Sequence, residues 1–450
     1  MDPIALISRH ILFPFYEFIR GVDSRDWWHY LLESQYFSPE QIYNNQWNSL
    51  RRILGYVYDH NSFYRERFNQ IGATPDDVKS FSDFKRLPIL TKMDIRHNLD
   101  SMISDGFNKS ELTLRRTGGS TGEPIQAYWD KQSEMLKEVL VRRHDAWAHF
   151  LRGEKKAALW GNIKPLVSLR SKVSNALFWR TIFLDTLKMS ESDILEFTER
   201  ITKTRTKLLF GHAHSIHLFS KFLLNQNIMS LKFEGIISTA ETLLSDERKT
   251  IEDIFGNVVF DRYGCEEIGL IASECEQHKG MHIASEGVYV EVVDIDKRGL
   301  GKIIVTDLIN RGTPIIRYEI GDLCDSNVGM CTCGRGLPLL GRIIGRTSDI
   351  LYTPEGKIVS GISFLDNGPF RIDGIVQVQV IQEKLDELTF NIVKDENLTE
   401  ESLRSLESYV VQYFGQSMKH KVMFVDKIPL SARGKLQLAV CRLGDADIPF

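Results

Sequence analysis

No apolar run in this chain is long enough to cross a membrane. Its opening residues, MDPIALISRHILFPFYEFIRG, interrupt their apolar character at Ser8, Arg9 and His10 before a signal-like core can develop. Neither an integral membrane segment nor a cleavable secretory signal is expected. The aromatic-rich start reads as a helix packed on the protein body, in preference to a peripheral membrane contact. Charge of one sign is lacking too: 56 Lys and Arg face 60 Asp and Glu, a net charge of −4. That balance provides no electrostatic case for a nucleic-acid partner, and no block of like charge marks an interaction tail. Cysteine is scarce, six residues in 450. Without a signal, this argues against a disulfide scaffold and fits a reducing cytoplasm. Internal repeats and low-complexity tracts are also missing.

What is present is length and pattern. The chain exceeds one ordinary core, so two or more domains are expected. Residues 25–110 read as helical, with Leu50, Ile53, Leu54 and Val57 at helical spacing and a break at Pro88 and Thr91. The middle alternates helices with short apolar strands, such as Lys207-Leu208-Leu209-Phe210, Gly235-Ile236-Ile237-Ser238 and Val258-Val259-Phe260. Strands separated by helices predict an α/β architecture with a mostly parallel, helix-covered sheet. From Glu286 to about Gly345 the pattern is dense β. Beyond it a small α+β unit is expected. Val376, Val378 and Val380 alternate with Gln377 and Gln379, and Leu388, Phe390 and Ile392 form a second strand. A helix capped by Thr399 then carries Leu403, Leu406 and Val410 on one face and ends at Gly415. The expected division is a large N-terminal domain, 1–345, with its β-rich part at about 286–345, and a small C-terminal domain, 346–450.

The segment LTLRRTGGSTGEPIQAYW, Leu112 to Trp129, sets three glycines and three hydroxyls between two strand-like runs. Gly118, Gly119 and Gly122 permit close backbone approach to a phosphate, and Thr117, Ser120 and Thr121 can donate hydrogen bonds to its oxygens. A Walker A loop is excluded, because Glu123-Pro124 and then a strand follow Gly122 where that motif needs Lys-Ser/Thr and a helix. The turn of a hairpin would hold the phosphates. Read alone, the segment is equally consistent with an ordinary Gly/Ser/Thr surface loop.

Five further segments, STAETL, DRYGCEEIGL, TPIIRYEIGDL, GRIIGRTSDI and IPLSARGKL, follow in the order found in one superfamily. From about Trp28 to about Leu438 the chain resembles the adenylate-forming enzymes, and among them the phenylacetate:CoA ligase-like group and its capsule-polysaccharide, CapK-type branch. The resemblance implies the two-domain fold of that superfamily, with a mobile C-terminal lid domain. It implies attack of a small-molecule carboxylate on the α-phosphate of ATP, giving an acyl-adenylate and pyrophosphate, and then transfer of the acyl group to an acceptor. It also implies roles. Glu267 matches the Mg²⁺-binding glutamate, Tyr263 the aromatic beside adenine, and Asp322 the acceptor for the ribose hydroxyls. Arg346 matches the arginine near ribose and phosphate, Lys435 the C-terminal lysine that reaches into the site, and Ala240 and Glu241 the chain passing the adenine. Trp160, Gly161, Phe210, Gly211 and His212 fall where the family places its acyl pocket.

Two departures stand out, the first bearing on domain alternation and the second on the acceptor. The family's hinge position carries Ser348, followed by Asp349, where an aspartate or lysine is usual. After it the chain reads Tyr352-Thr353-Pro354-Glu355-Gly356-Lys357, unlike the CoA-ligase segment at that place. CoA therefore competes with an amine or a sugar hydroxyl as acceptor. A catalytically inactive nucleotide-binding protein of the same fold and a plain aryl-acid CoA ligase are the alternatives.

Cys275, His282 and the pair Cys331-Thr332-Cys333 form a second constellation. Three thiolates and an imidazole suit tetrahedral zinc in a closed, structural site. Free thiols, a redox pair at Cys331 and Cys333, or His278 replacing His282 are the competing readings.

Overall fold

The computed structural model describes residues 2–116, 125–161, 163, 167–186, 190–295, 297, 299–326, 329–346, 350–355, 358–361, 364–365, 368–429 and 436–443. Its centre is an eight-stranded sheet. Five strands run parallel in the order Thr181–Asp185, Lys156–Trp160, Leu208–His212, Gly235–Thr239, Val259–Cys265. Three more, Gly269–Glu274, Met281–Ile283 and Leu339–Leu340, extend it antiparallel. The three central parallel strands, Lys156–Trp160, Leu208–His212 and Gly235–Thr239, are buried over nearly their whole length, as a sheet covered on both faces requires. Helices Glu191–Lys203, Ala213–Asn225 and Ser245–Phe255 cover it, and Phe197, Phe219, Ile251 and Phe255 join Leu159, Leu209 and Ile236 in one core.

The helical region expected before residue 110 is present. Its longest helix, Pro39–His60, starts at a Ser38–Gln41 capping box and buries Leu50, Ile53, Leu54 and Val57. Thr91 starts the helix Lys92–Asn98 in the same way. The dense β region is a four-stranded antiparallel sheet, Val288–Val293, Leu300–Asp307, Tyr318–Asp325 and Ile343–Arg346. At the C-terminal end a second four-stranded sheet, in the order Lys419–Phe424, Glu387–Lys394, Ile375–Lys384, Ala439–Cys441, packs against the helix Glu400–Phe414. Thr399 caps that helix, and Gly415 leaves it at φ +89°, a conformation that favours glycine. Its core of Val378, Val380, Phe390, Leu406 and Phe414 is a cluster of its own.

The N-terminus forms consecutive helical segments, Pro3–Ile7, Ser8–Leu12 and Phe13–Ile19, that pack on the body through the buried Phe13. Among the described residues no helix is long and apolar enough to cross a membrane.

Candidate functional site

Parallel strands collect ligands at their carboxyl ends, where loops and helix N-termini converge. Here Trp160, His212, Thr239 and Tyr263 lie at or near the carboxyl ends of four adjacent strands. Trp160 stacks on Phe210 with centroids 5.5 Å apart and lies 4.2 Å from the His212 ring. The structure thus brings together the three side chains expected to line an acyl pocket. Gly211 is required between them, because a β-carbon there would come within 2.8 Å of the Leu159 carbonyl on the neighbouring strand. His214 and His217 turn elsewhere. His214 pairs with Glu247, and burial lowers the pKa of His217 to about 4.

One strand further, two carboxylates meet two phenols. The Tyr263 hydroxyl donates to Asp322 at 2.6 Å, and the Tyr318 hydroxyl donates to Glu267 Oε1 at 2.8 Å. Burial, reinforced by the adjacent carboxylate, raises the pKa of both tyrosines, so both remain donors at neutral pH. Trp129 Nε1 holds the Glu267 main-chain carbonyl at 3.0 Å, which ties this turn to the strand following the glycine-rich segment. Glu267 Oε2 is buried and has no hydrogen-bond partner among the described residues. A buried, half-satisfied carboxylate fits a hard cation, which takes oxygen ligands.

The glycine-rich loop itself, Thr117 to Gly122, lies outside the described residues, but its flanks behave as expected. Thr113–Arg116 and Gln126–Trp129, on either side of it, pair antiparallel. Arg346 stands directly across from Asp322 in strand register. Lys435, Ser348 and Asp349 also lie outside the described residues.

Ala240 adopts φ +68°, a costly backbone for a residue with a β-carbon, at the end of its strand. Glu241 follows and accepts two main-chain hydrogen bonds. One comes from His214 at 3.2 Å, and the other from Leu436, the residue after Lys435, at 3.1 Å. Gln377 Nε2 lies 3.4 Å from His214 Nε2, and Arg371 pairs with Asp246 at 3.4 Å. The C-terminal sheet is therefore seated over the strand ends, with Leu436 bonded to Glu241 of STAETL. Glu241, expected beside adenine, has both oxygens engaged in this seat.

Residues 351–441 match the family described as CapK C-terminal domain. CapK of Staphylococcus aureus is 24% identical over 409 residues, 89% of each chain. The phenylacetate-coenzyme A ligase of Thermus thermophilus is 25% identical over 346 residues, 72% of this chain and 74% of that one. This chain is a relative of CapK and of the phenylacetate-CoA ligases. Among solved structures, 2-hydroxyisobutyryl-CoA ligase in its postadenylation state with R3-HIB-AMP covers 92% of both chains with a TM-score of 0.71 at 17% identity. The same ligase in its thioesterification state with CoA covers 90% of both chains with a TM-score of 0.56. The fold is that of the adenylate-forming enzymes.

In this CapK relative the cysteine–histidine constellation is also assembled. Cys275, His282, Cys331 and Cys333 offer ligand atoms that all lie within 4.8 Å of one another. Cys275 and Cys331 sulfurs are 3.6 Å apart, and Cys333 sulfur is 3.3 Å from His282 Nε2, spacings suited to ligands about 2.0–2.3 Å from a shared zinc ion. His282 Nδ1 donates to the Leu337 carbonyl at 3.0 Å, which leaves Nε2 with its lone pair facing the sulfurs. Main-chain N–H groups of Gln277 and Arg335 point at the Cys275 and Cys333 sulfurs, an arrangement that favours thiolates. His278 bonds Glu274 instead, and it is His282 whose ligand atom converges with the three sulfurs. The donor set fits zinc. Zinc held there would fasten the loop that leaves the four-stranded sheet to the antiparallel edge of the large sheet.

Three contributors escaped the sequence reading: Tyr318, Trp129 and Gln377. Tyr318 stands within a recognised motif, yet its partner is 51 residues away, and no local spacing announces that pairing.

Proposed function

We propose that this protein is an ATP-dependent, AMP-forming ligase. It activates a carboxylic acid as the acyl-adenylate and passes the acyl group to a sugar hydroxyl or an amine in capsule or surface-polysaccharide biosynthesis, or to CoA. The observation that carries the reading is the Glu267–Asp322 pair, each carboxylate oriented by a tyrosine hydroxyl, with one Glu267 oxygen left without a partner among the described residues. In the first step a carboxylate oxygen attacks the α-phosphorus of ATP. A new P–O bond forms, the α,β-anhydride bond breaks, and its electron pair leaves with pyrophosphate. In the second step the acceptor's thiol, amine or hydroxyl attacks the acyl carbon, loses its proton, and AMP departs.

Both reactants of the first step are anions, so the site must neutralise charge in advance. Glu267 would hold Mg²⁺, which supplies Lewis-acid relief of the phosphate charge when bound. Asp322 orients the ribose, and Arg346, opposite it in register, adds positive charge near the phosphates. The loop from Thr117 to Gly122 takes the phosphates. Lys435 completes the adenylation site, and Glu241 supports that role by holding the next residue. Trp160, Phe210 and His212 bound the acyl pocket. The Cys275–His282–Cys331–Cys333 zinc is structural, having no open position for chemistry. Residues 1–345 act as the adenylation domain and 346–450 as the lid. The better overlay on the postadenylation chain than on the thioesterification chain supports an adenylation-side lid pose.

Pyrophosphate release is the test, measured with ATP and Mg²⁺ across aryl, fatty, amino and uronic acids, with no acceptor, CoA or hydroxylamine. Release with one acid class is expected. Stimulation by CoA marks a CoA ligase, whereas trapping by hydroxylamine alone marks an amide or ester ligase. Bound ATP with no release from any acid would replace the ligase by a non-catalytic nucleotide-binding protein.

A further inference from the structure

The N-terminal helical segment has two faces. Phe13 is buried inward, where its ring meets Phe178 and Trp179 at 5.3 and 6.1 Å. Ile4, Ile7, Ile11, Phe15 and Phe18 recur at steps of three and four on the outside, with Ile11 61% and Phe18 79% exposed. A surface helix ordinarily turns polar residues that way. Its neighbour, Leu169–Ser174 continuing through Trp179, repeats the feature, with Leu169, Val173 and Leu177 exposed at four-residue steps. Of the twenty-nine exposed large apolar residues among those described, eight lie in 4–19 and six in 167–183. The Phe13–Phe178 contact joins the two groups into one patch, a concentration that marks an interaction surface.

Charge identifies the partner. From Lys155 to Leu184 the chain has six Lys and Arg and no Asp or Glu. The two acids of the N-terminal segment are engaged by cations: Asp2 with Arg180 at 2.8 Å and Glu17 with Arg152 at 2.5 Å. Arg170 and Lys172 stand exposed on the second helix, flanking Leu169 and Val173. An apolar face with a cationic rim complements anionic lipid headgroups over acyl chains. A second copy of the chain would instead set one cationic rim against another.

We infer that this face lies flat on an anionic membrane interface. Ile11, Phe15, Phe18, Leu169 and Trp179 enter the boundary between headgroups and acyl chains, and Arg170 and Lys172 meet lipid phosphates. Burial of the inner face agrees with the packing expected from sequence; the outer face adds a second contact that packing does not use. The inference goes beyond the ligase reading and stands whether or not that reading holds.

The full chain should sediment with phosphatidylcholine vesicles containing phosphatidylglycerol, weakly with phosphatidylcholine alone, and less as salt rises. Replacing Ile11, Phe15 and Phe18 together by Gln should lower the bound fraction at least tenfold. Arg170→Glu with Lys172→Glu should lower binding to the anionic vesicles by about tenfold or more. All five positions are exposed, and circular dichroism with thermal melting confirms that both variants fold. Three results would overturn the inference: no vesicle binding by the parent chain, binding unchanged in both variants, or a dimer in light scattering that the triple variant dissolves.

Discussion

Glu267 illustrates how much of this site rests on single atoms. One oxygen receives the Tyr318 hydroxyl, the main-chain carbonyl receives Trp129, and the other oxygen faces no partner among the described residues. Glu267→Gln keeps the shape and removes the charge, and should lower pyrophosphate release by about 10²–10³-fold while raising the Mg²⁺ concentration needed. Tyr318→Phe should cost about fivefold and shift the same Mg²⁺ dependence, because it only frees the carboxylate to turn. Equal Mg²⁺ curves for parent and Tyr318→Phe would show that the phenol does not position Glu267. At the second constellation, Cys275→Ser should lower bound zinc from about one equivalent per chain towards none, read by elemental analysis, and lower the melting temperature. Zinc retained in Cys275→Ser would remove that cysteine from the ligand set. The candidate residues were legible because their motifs come in a known order. Their mutual contacts were not, since Tyr263 and Asp322 are 59 positions apart and only the fold brings them together.

Elements were more readily legible than contacts. Buried parallel strands announce themselves as short apolar runs between helices, as at Leu208–His212 and Gly235–Thr239, and a Thr cap with a terminal glycine bounded the last long helix. Less legible was the helix Ala213–Asn225, whose first turn carries His214. Burial opposes the charged form of that imidazole, but the Glu247 carboxylate at 2.9 Å, with Glu241 nearby, outweighs burial and raises its pKa above 6.5. A raised histidine pKa contributes stability that is complete below about pH 6.5 and is lost as pH rises through the folded value. The melting temperature should therefore fall from about pH 6 to pH 8 more steeply in the parent chain than in His214→Gln. Parallel melting profiles would separate this pair from the stability of the seat.

At the scale of the molecule, the polar contacts that seat the C-terminal unit among the described residues include Leu436 with Glu241, Gln377 with His214 and Arg371 with Asp246. Lys435→Ala should abolish pyrophosphate release and leave ATP binding within about twofold, because in the proposed mechanism the lysine acts on charge that develops only as the reaction proceeds. Unchanged release would overturn its assignment. Transfer from a preformed acyl-adenylate should be far less affected.

Glu241 gives this seat a kinetic meaning. Its carboxylate is shared between a main-chain amide at a helix start and one beside Lys435, so the C-terminal sheet cannot leave without surrendering a hydrogen bond. On the proposed two-step reaction, the carboxylate would set a residence time: a strong hold would prolong the first half-reaction and delay the second, and a weak hold would do the reverse. Rapid-quench measurement of Glu241→Ala should show slower adenylation together with faster acyl transfer, a trade between two clocks set by one side chain.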